Sequence, residues 1–430
     1  MIRSELFLGK NEVKIMVISL EEMGKKARQS AFELAQTPTS LKNAVLNKMA
    51  DALIEKEEEI LTQNRLDLEK ASEMPQNFTD RLTLDHDRIL GMAEGLRQVA
   101  SLPDPIGNED AAWVNHAGLQ IAKRRIPLGV VGMIYEARPN VTVDAAGLCF
   151  KSGNAVILRG GKEALRTNVK LCEILRSVVA SSGLDENAVQ IIQETSHEIA
   201  NQFMQLTDYL DVLIPRGSAR LIKAVVNNAK VPVIETGAGN CHLYVDKDAE
   251  FDMAEKIVVN AKCQRPSVCN AAEKLLIHED VAEKFLPRVA QALEERHVEL
   301  RGDERTCAIL GSRCRPATVE DWDTEYNDYI LTIGIVDSLD EAILHINQHS
   351  THHSESIITE NYRASQRFLN EIDSACVYVN ASTRFTDGFE FGFGAEIGIA
   401  TQKLHARGPM GLNELTTIKY VIRGDGQIRE

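Results

Sequence analysis

The chain has 430 residues, enough for two or three packed domains, because a single core stops growing at about 250–300 residues. Its 48 basic against 63 acidic side chains give a formal charge of −15 with no basic arm or stripe, which argues against nucleic acid as a partner. No apolar run reaches the roughly 18 residues that a membrane helix needs.

Residues 1–15 interleave Arg3, Glu5, Lys10, Glu12 and Lys14 with apolar positions. They lack the apolar core of a signal peptide and read as an extension ahead of Met16. Ser19 followed by Glu22 is a capping box, and Leu20, Met23, Ala27, Ala31 and Leu34 recur at helical spacing, so a first helix is expected there. A second is expected from Leu41 through Val45, Met49 and Leu53, with the run Glu55–Glu59 on its solvated side. The segment 110–128 alternates weakly without a helical period. From residue 130, short runs (Val130–Tyr135, Ala155–Leu158, Val189–Ile192, Leu210–Ile214, Val231–Ile234) alternate with helical patterns, the signature of a parallel, doubly wound sheet. A second such series starts near His242 and includes Lys274–Ile277, Ile330–Ile335, Glu355–Thr359 and Ala375–Val379. Thr416–Arg423 is again β-branched and alternating. With 110–128 it suits a small extra sheet, of a kind that another subunit can complete.

The eight cysteines (Cys149, Cys172, Cys241, Cys263, Cys269, Cys307, Cys314, Cys376) are scattered, with no C-x-x-C pair and no zinc-type Cys/His spacing. A reducing, cytoplasmic setting and no metal site are expected. A cysteine is more often a buried small hydrophobe than a nucleophile. Cys269 differs by its surroundings: Pro266 stops a helix, Ser267 and Asn270 are polar, and Arg265 supplies a cation able to lower a thiol pKa. Cys263 falls on the helical side. Ala137-Arg138-Pro139-Asn140 follows the strand Val130–Tyr135, at the carboxyl edge where open α/β sheets bind ligands. Asn140 there is either an oxyanion donor or a polar turn residue beside proline. Glu235-Thr-Gly-Ala-Gly-Asn240 follows the run Val231–Ile234, and its glycines admit close backbone approach or simply a tight turn. The dinucleotide fingerprint G-x-G-x-x-G is absent after the first strand. Ile214-Pro-Arg-Gly-Ser-Ala-Arg220 supplies instead a strand, a glycine turn and a helix start that suits a pyrophosphate. Arg159-Gly-Gly-Lys162 adds two cations after a strand, unless it is a solvated β-to-α turn.

Five segments together carry a resemblance: Tyr135-Glu-Ala-Arg-Pro-Asn-Val-Thr-Val143, Lys151-Ser-Gly-Asn154 through Leu158-Arg-Gly-Gly161, Glu235-Thr-Gly-Ala-Gly-Asn-Cys-His242, Gln264-Arg-Pro-Ser-Val-Cys-Asn270 and Val379-Asn-Ala-Ser-Thr-Arg-Phe-Thr-Asp-Gly388. From about residue 20 onward the chain resembles the aldehyde dehydrogenase superfamily and, within it, the γ-glutamyl phosphate reductases. The resemblance implies an α/β fold, aldehyde-dehydrogenase-like, with two doubly wound parallel-sheet domains plus a small β oligomerisation element. It divides the chain into an NADPH-binding domain (16–109 and 129–236), a catalytic domain (237–402) and the β element (110–128 and 403–430). It implies Cys269 as nucleophile and Asn140 as oxyanion donor, with Gly217 and Ser218 in the pyrophosphate turn. Arg159, Gly160 and Lys162 fall near the adenosine ribose and Glu325 near the nicotinamide ribose. Lys162 stands where NAD-dependent relatives place a glutamate, which favours the 2′-phosphate of NADPH. Glu235 aligns with the base that hydrolyses the acyl-enzyme in oxidising members, a step an acyl-phosphate reductase does not need. The implied reaction reduces L-glutamyl 5-phosphate to L-glutamate 5-semialdehyde in proline biosynthesis. Arg138, Arg265 and Arg384 are then the natural clamps for the two substrate anions. A homo-oligomer, dimer or tetramer, and association with glutamate 5-kinase are implied as partners. An oxidising or CoA-acylating aldehyde dehydrogenase is the rival enzyme, and a nucleotide-binding scaffold the non-catalytic one.

Overall fold

The computed structural model describes residues 19–74 and 76–429. The expected extension 1–15 lies outside the described residues. Helix Leu20–Leu34 opens as the capping box predicts, with Ser19 Oγ accepting from Glu22 N–H at 3.2 Å. The acidic run behaves otherwise. Helix Thr39–Glu55 ends at Lys56, and Glu57, Glu58 and Glu59 form the first turn of a separate helix, Glu57–Lys70. Carboxylates there complement the positive end of the helix dipole, and Ile60 behind them is buried.

The first sheet holds β3 (Val130–Tyr135), β4 (Ala155–Arg159), β5 (Val189–Ile191) and β6 (Val212–Arg216), all parallel in the order β5-β4-β3-β6. Alternation along β3 divides its side chains between two cores. Val131, Met133 and Tyr135 face the helices Thr39–Glu55, His86–Ser101, Asn140–Lys151 and Leu165–Ser181. Val130 and Ile134 face Leu20–Leu34, His197–Met204 and Ala219–Asn228. The run Val231–Ile234 was expected to be a strand and is only a bridge between Val233 and Leu213. Pro232 has no N–H to give to a ladder, although its carbonyl accepts from Leu213 at 2.8 Å.

The second sheet holds β7 (Cys241–Val245), β8 (Ala272–His278), β9 (Glu299–Gly302), β10 (Arg315–Pro316), β11 (Ile330–Val336), β12 (Ser354–Ile358) and β13 (Cys376–Val379). Its order is β10-β9-β11-β8-β7-β12-β13, again parallel throughout, with a hydrophobic core on each face. Two doubly wound sheets are therefore present, as expected. The third sheet joins β1 (Glu109–Val114), β2 (Gln120–Pro127) and β16 (Thr416–Arg423) antiparallel, uniting the two ribbons noted in the sequence. The stretch between 403 and 415 does not belong to it. There β15 (Gly408–Met410) pairs with β14 (Gly398–Ala400), and Met410, Leu412 and Leu415 pack into the core of the first sheet. Among the described residues no helix is long and apolar enough to cross a membrane.

An ion pair buried in the second unit fixes the ends of the cysteine loop. Lys262 Nζ, at the end of helix Phe251–Cys263, lies 2.7 Å from Glu273 Oε2 on β8. The other carboxylate oxygen accepts from Asn327 N–H at 3.0 Å. Removing one member of such a pair strands a buried charge, so Lys262→Met should cost about 3–5 kcal/mol in urea unfolding. Adding Glu273→Gln should recover more than half of it, since the amide oxygen still accepts from Asn327. A single-variant loss below about 1 kcal/mol would mean the pair is effectively solvated.

Candidate active site

Cys269 sits in the turn between helix Phe251–Cys263 and β8, while Cys263 is the last residue of that helix. The turn is held from several sides. Cys241 Sγ–H donates to Cys269 O at 3.2 Å. Asn270 Nδ2 donates to Thr386 O at 2.9 Å, and Thr383 Oγ1 donates to Asn270 O at 2.7 Å. Gly239 packs directly on the Cys269 carbonyl, where a Cβ would fall 1.4 Å from the oxygen. A tight turn and a close approach are thus the same feature in Glu235–Asn240. Gly239 N–H donates to Glu325 Oε1 at 2.8 Å, which draws Glu325 to the cysteine.

Cys269 is partly buried. Burial pushes its thiol up to about 11, opposed first by the cation of Arg216, then reinforced by the carboxylates of Glu396 and Glu325, and opposed again by Arg138. Arg265, expected to lower this pKa, is exposed, and the cations acting most strongly on the thiol are Arg216 and Arg138. Arg138 is half-buried, and burial, with repulsion from Arg216 next, pulls its guanidinium down to about 10. Arg384 is committed to the cysteine loop: Nε donates to Gln264 Oε1 at 2.9 Å and Nη1 to Asn270 Oδ1. Asn140 is the first residue of helix Asn140–Lys151, beyond a turn in which Ala137 has φ +33°. That strained backbone aims Arg138 and Asn140 off the edge of β3. Asn140 Nδ2 donates to Asp144 Oδ2 at 2.9 Å, which leaves one amide N–H for another acceptor. Burial lifts Asp144 to about 6 against that hydrogen bond and Arg216.

A cavity of about 590 Å³ opens over the carboxyl edge of the first sheet, lined by Arg159, Lys162 and Arg220 and by the carboxylates Glu136 and Glu163. Arg159 Nη2 donates to Thr195 O at 3.0 Å, and Lys162 is exposed. Gly160 is buried rather than on the cavity wall: a Cβ would stand 2.3 Å from Asn168 Nδ2 and 3.2 Å from the Tyr135 ring, so packing explains the glycine. Gly217 and Ser218 form the turn into helix Ala219–Asn228, and the N-terminus of that helix already holds an anion. Glu136 Oε2 accepts from Ser218 N–H at 2.8 Å and Oε1 from its hydroxyl at 3.1 Å. Glu325 is not at this cavity but beside Gly239 on the cysteine side. Sequence reading missed Glu136, Asp144, Arg216 and Glu396. Glu136 lay within a recognised motif and Arg216 one residue before an assigned turn, so position along the chain could have found those two.

The Aldehyde dehydrogenase family is matched by residues 18–314. The gamma-glutamyl phosphate reductase of Ligilactobacillus salivarius is 66% identical over 415 residues, covering 96% of this chain and all of that protein. That of Lactiplantibacillus plantarum is 62% identical over 413 residues, covering 96% and 100%. The crystal structure of the Thermotoga maritima gamma-glutamyl phosphate reductase superposes with a TM-score of 0.93 at 48% identity, covering 95% of this chain and 99% of that one. The chain belongs to the aldehyde dehydrogenase family and, within it, to the γ-glutamyl phosphate reductases.

The raised thiol pKa has a direct chemical readout. Thiolate, not thiol, is alkylated. The rate of Cys269 modification by iodoacetamide, followed by mass spectrometry, should therefore rise about tenfold per pH unit from pH 7 and level only near the pKa of about 11. A plateau below pH 8 would show that the cations outweigh burial.

Proposed function

We propose that the enzyme reduces L-glutamyl 5-phosphate to L-glutamate 5-semialdehyde and phosphate with NADPH, through a Cys269 thioester, as the second step of proline biosynthesis from glutamate. The observation that carries the reading is a loop cysteine under the influence of Arg138 and Arg216, with Asn140 two residues beyond Arg138, in a member of this family. Cys269 Sγ attacks the γ-carbonyl, and the free amide N–H of Asn140 with a backbone N–H near Cys269 holds the developing oxyanion. The acyl C–O bond breaks, and phosphate departs with the thiol proton. NADPH, when bound, supplies the hydride that reduces the thioester. Reprotonated Cys269 then leaves the semialdehyde free. Arg159, Lys162 and Arg220 line the cavity and support dinucleotide binding there, with a pyrophosphate taking the place of the Glu136 carboxylate at the Ser218 turn. Glu325 lies on the thiol side, consistent with holding the nicotinamide ribose. The exposed apolar side chains Trp113, Ile418, Tyr420 and Ile422 on the third sheet support its use as a homo-oligomer contact.

The assay is phosphate-dependent oxidation of the semialdehyde with NADP. Cys269→Ala should lose turnover by several orders of magnitude with cofactor binding nearly intact, while Cys263→Ala keeps most of it. Turnover that needs CoA in place of phosphate, or survives in Cys269→Ala, would sink the reading.

Cofactor choice is a separate outcome. A charged hydrogen bond to the 2′-phosphate contributes about 1.5–3 kcal/mol, so NADPH should be preferred about tenfold to a few hundredfold. Glu136 and Glu163 already offer two carboxylates in the same cavity. Lys162→Glu adds a third, and should erode the preference in the ratio of kcat/KM for NADPH and NADH at fixed salt. An unchanged ratio would make Lys162 solvated surface.

A further inference from the structure

Arg216 is the last residue of β6 and pairs in register with Tyr135 of the central strand β3. Its carbonyl accepts from Glu136 N–H at 3.1 Å, which fixes the backbone at the carboxyl edge of the sheet. The side chain runs from there to β14. A Cβ built on Gly398 would stand 3.0 Å from Arg216 Nη1 and 3.2 Å from its Cδ, so the side chain packs on a glycine. From that seat it acts electrostatically on Cys269, Arg138, His353, Asp144 and Glu396.

Among the described residues this guanidinium has no side-chain hydrogen bond and no ion pair. Glu396 is the carboxylate on the same segment, but its Oε2 is engaged by Gly388 N–H at 2.9 Å and no ion pair joins it to Arg216. Five N–H donors thus stand unspent on a half-buried cation beside the nucleophile. Arg301, by contrast, is spent on Glu299 and Asp321, Arg288 on Asp252 and Glu255, and Arg384 on Gln264 and Asn270. A half-buried cation left unpaired beside the nucleophile is one that a bound anion would stabilise.

Substrate geometry decides which anion. The phosphoryl group is bonded through one oxygen to the carbon that Cys269 attacks, whereas the α-carboxylate lies at the far end of the glutamyl chain. Cations acting on the thiol therefore meet the phosphoryl oxygens, and Arg265 is exposed and not among the groups that shift the thiol most. We infer that Arg216, with Arg138 beside it, is the catalytic residue that holds the phosphoryl group as it leaves the Cys269-bound acyl carbon, and inorganic phosphate in the reverse direction. This rests on the acyl-phosphate reading above. In the forward step the S–C bond forms and the acyl C–O bond breaks. The bonding pair and the thiol proton go to the phosphate, whose growing charge the guanidinium neutralises as a planar, two-pronged donor.

The test uses Arg216→Ala and Arg216→Lys in the full-length enzyme. Two quantities are measured: the KM for inorganic phosphate in semialdehyde oxidation, and the phosphate concentration that half-protects Cys269 from iodoacetamide. Both should rise about tenfold to a hundredfold in Arg216→Ala, for loss of a charged two-pronged contact. The KM for semialdehyde should stay within about threefold, and Arg216→Lys should fall between the variant and the parent. Arg313→Ala, which removes a surface arginine held by Glu294, should leave both phosphate quantities unchanged. Unchanged phosphate constants in Arg216→Ala, or an equal rise in the semialdehyde KM, would overturn the assignment. If the parent turned over only without phosphate, the acyl-phosphate reading itself would fall. The protection measurement would still report whether Arg216 holds a phosphate, and a parent not protected by phosphate would overturn this inference as well. Should Arg216→Ala fail to fold, Arg216→Lys gives the same comparison with charge and stem retained.

Discussion

The backbone contact between Gly239 and Cys269 is the constraint on which the active site depends. With a Cβ at 1.4 Å from the Cys269 oxygen, no side chain can stand at 239 while the cysteine turn keeps its place. The glycine brings one loop against another, and each partner is anchored in turn. Gly239 N–H reaches Glu325, Asn240 Nδ2 donates to Trp322 O and His349 O at 2.8 Å each, and Cys241 Sγ–H supports the Cys269 carbonyl. Three loops of the second sheet therefore meet at one residue. The nucleophile is placed by this convergence and by the Lys262–Glu273 pair beneath it, not by the local conformation of its own turn.

Burial and charge work against each other at the thiol. At about 11, fewer than about one molecule in a thousand carries the thiolate at pH 7, so the resting site is a thiol. That guards it against adventitious oxidation, which follows thiolate character. It also shifts the question from activation at rest to proton movement during attack. An acyl phosphate brings its own acceptor, because the departing phosphate takes the proton the thiol must lose. His353 is a poor alternative acceptor: burial holds it down to about 4, and its Nδ1 is engaged with Ser354 Oγ at 2.8 Å.

Much of this was legible in residue order. The strand Val130–Tyr135 matches the sequence reading residue for residue, because its apolar run ends in a turn carrying proline and polar side chains. The capping box at Ser19 and the loop character of Cys269 were equally local signals. The short strands β9 and β10 were not legible, since Glu299–Gly302 carries little apolar pattern and two-residue β10 exists only by pairing beside it. Val231–Ile234 misled for the opposite reason: its β-branched composition is right and Pro232 breaks the ladder. Arg216 could not be ranked above Arg138, Arg265 and Arg384 by sequence. Arg265 is exposed, Arg384 is paired with Gln264 from 120 positions away, and Arg138 and Arg216 are left without a side-chain partner among the described residues, which only the fold settles.

The seam between the two large sheets explains why residues from both act at one thiol. The chain crosses at Thr236 and returns near Ala400, and the crossings are joined: Thr236 bridges Ala400, and Gly237 N–H donates to Ile399 O at 3.1 Å. Thr236 Oγ1 further donates to Pro215 O, one residue before Arg216. Gly398, on which Arg216 lies, belongs to the returning crossing. The seam thus carries the floor for a cation rooted in the first sheet, while the second sheet supplies the sulfur. The same β6 turn faces the other way through Glu136, whose N–H is held by Arg216 O and whose carboxylate caps the helix at Ser218. A few ångströms of backbone therefore serve both the thiol pocket and the nucleotide cavity. A displacement of the seam would disturb the two together, so a rigid crossing is a requirement of the chemistry as well as of the fold.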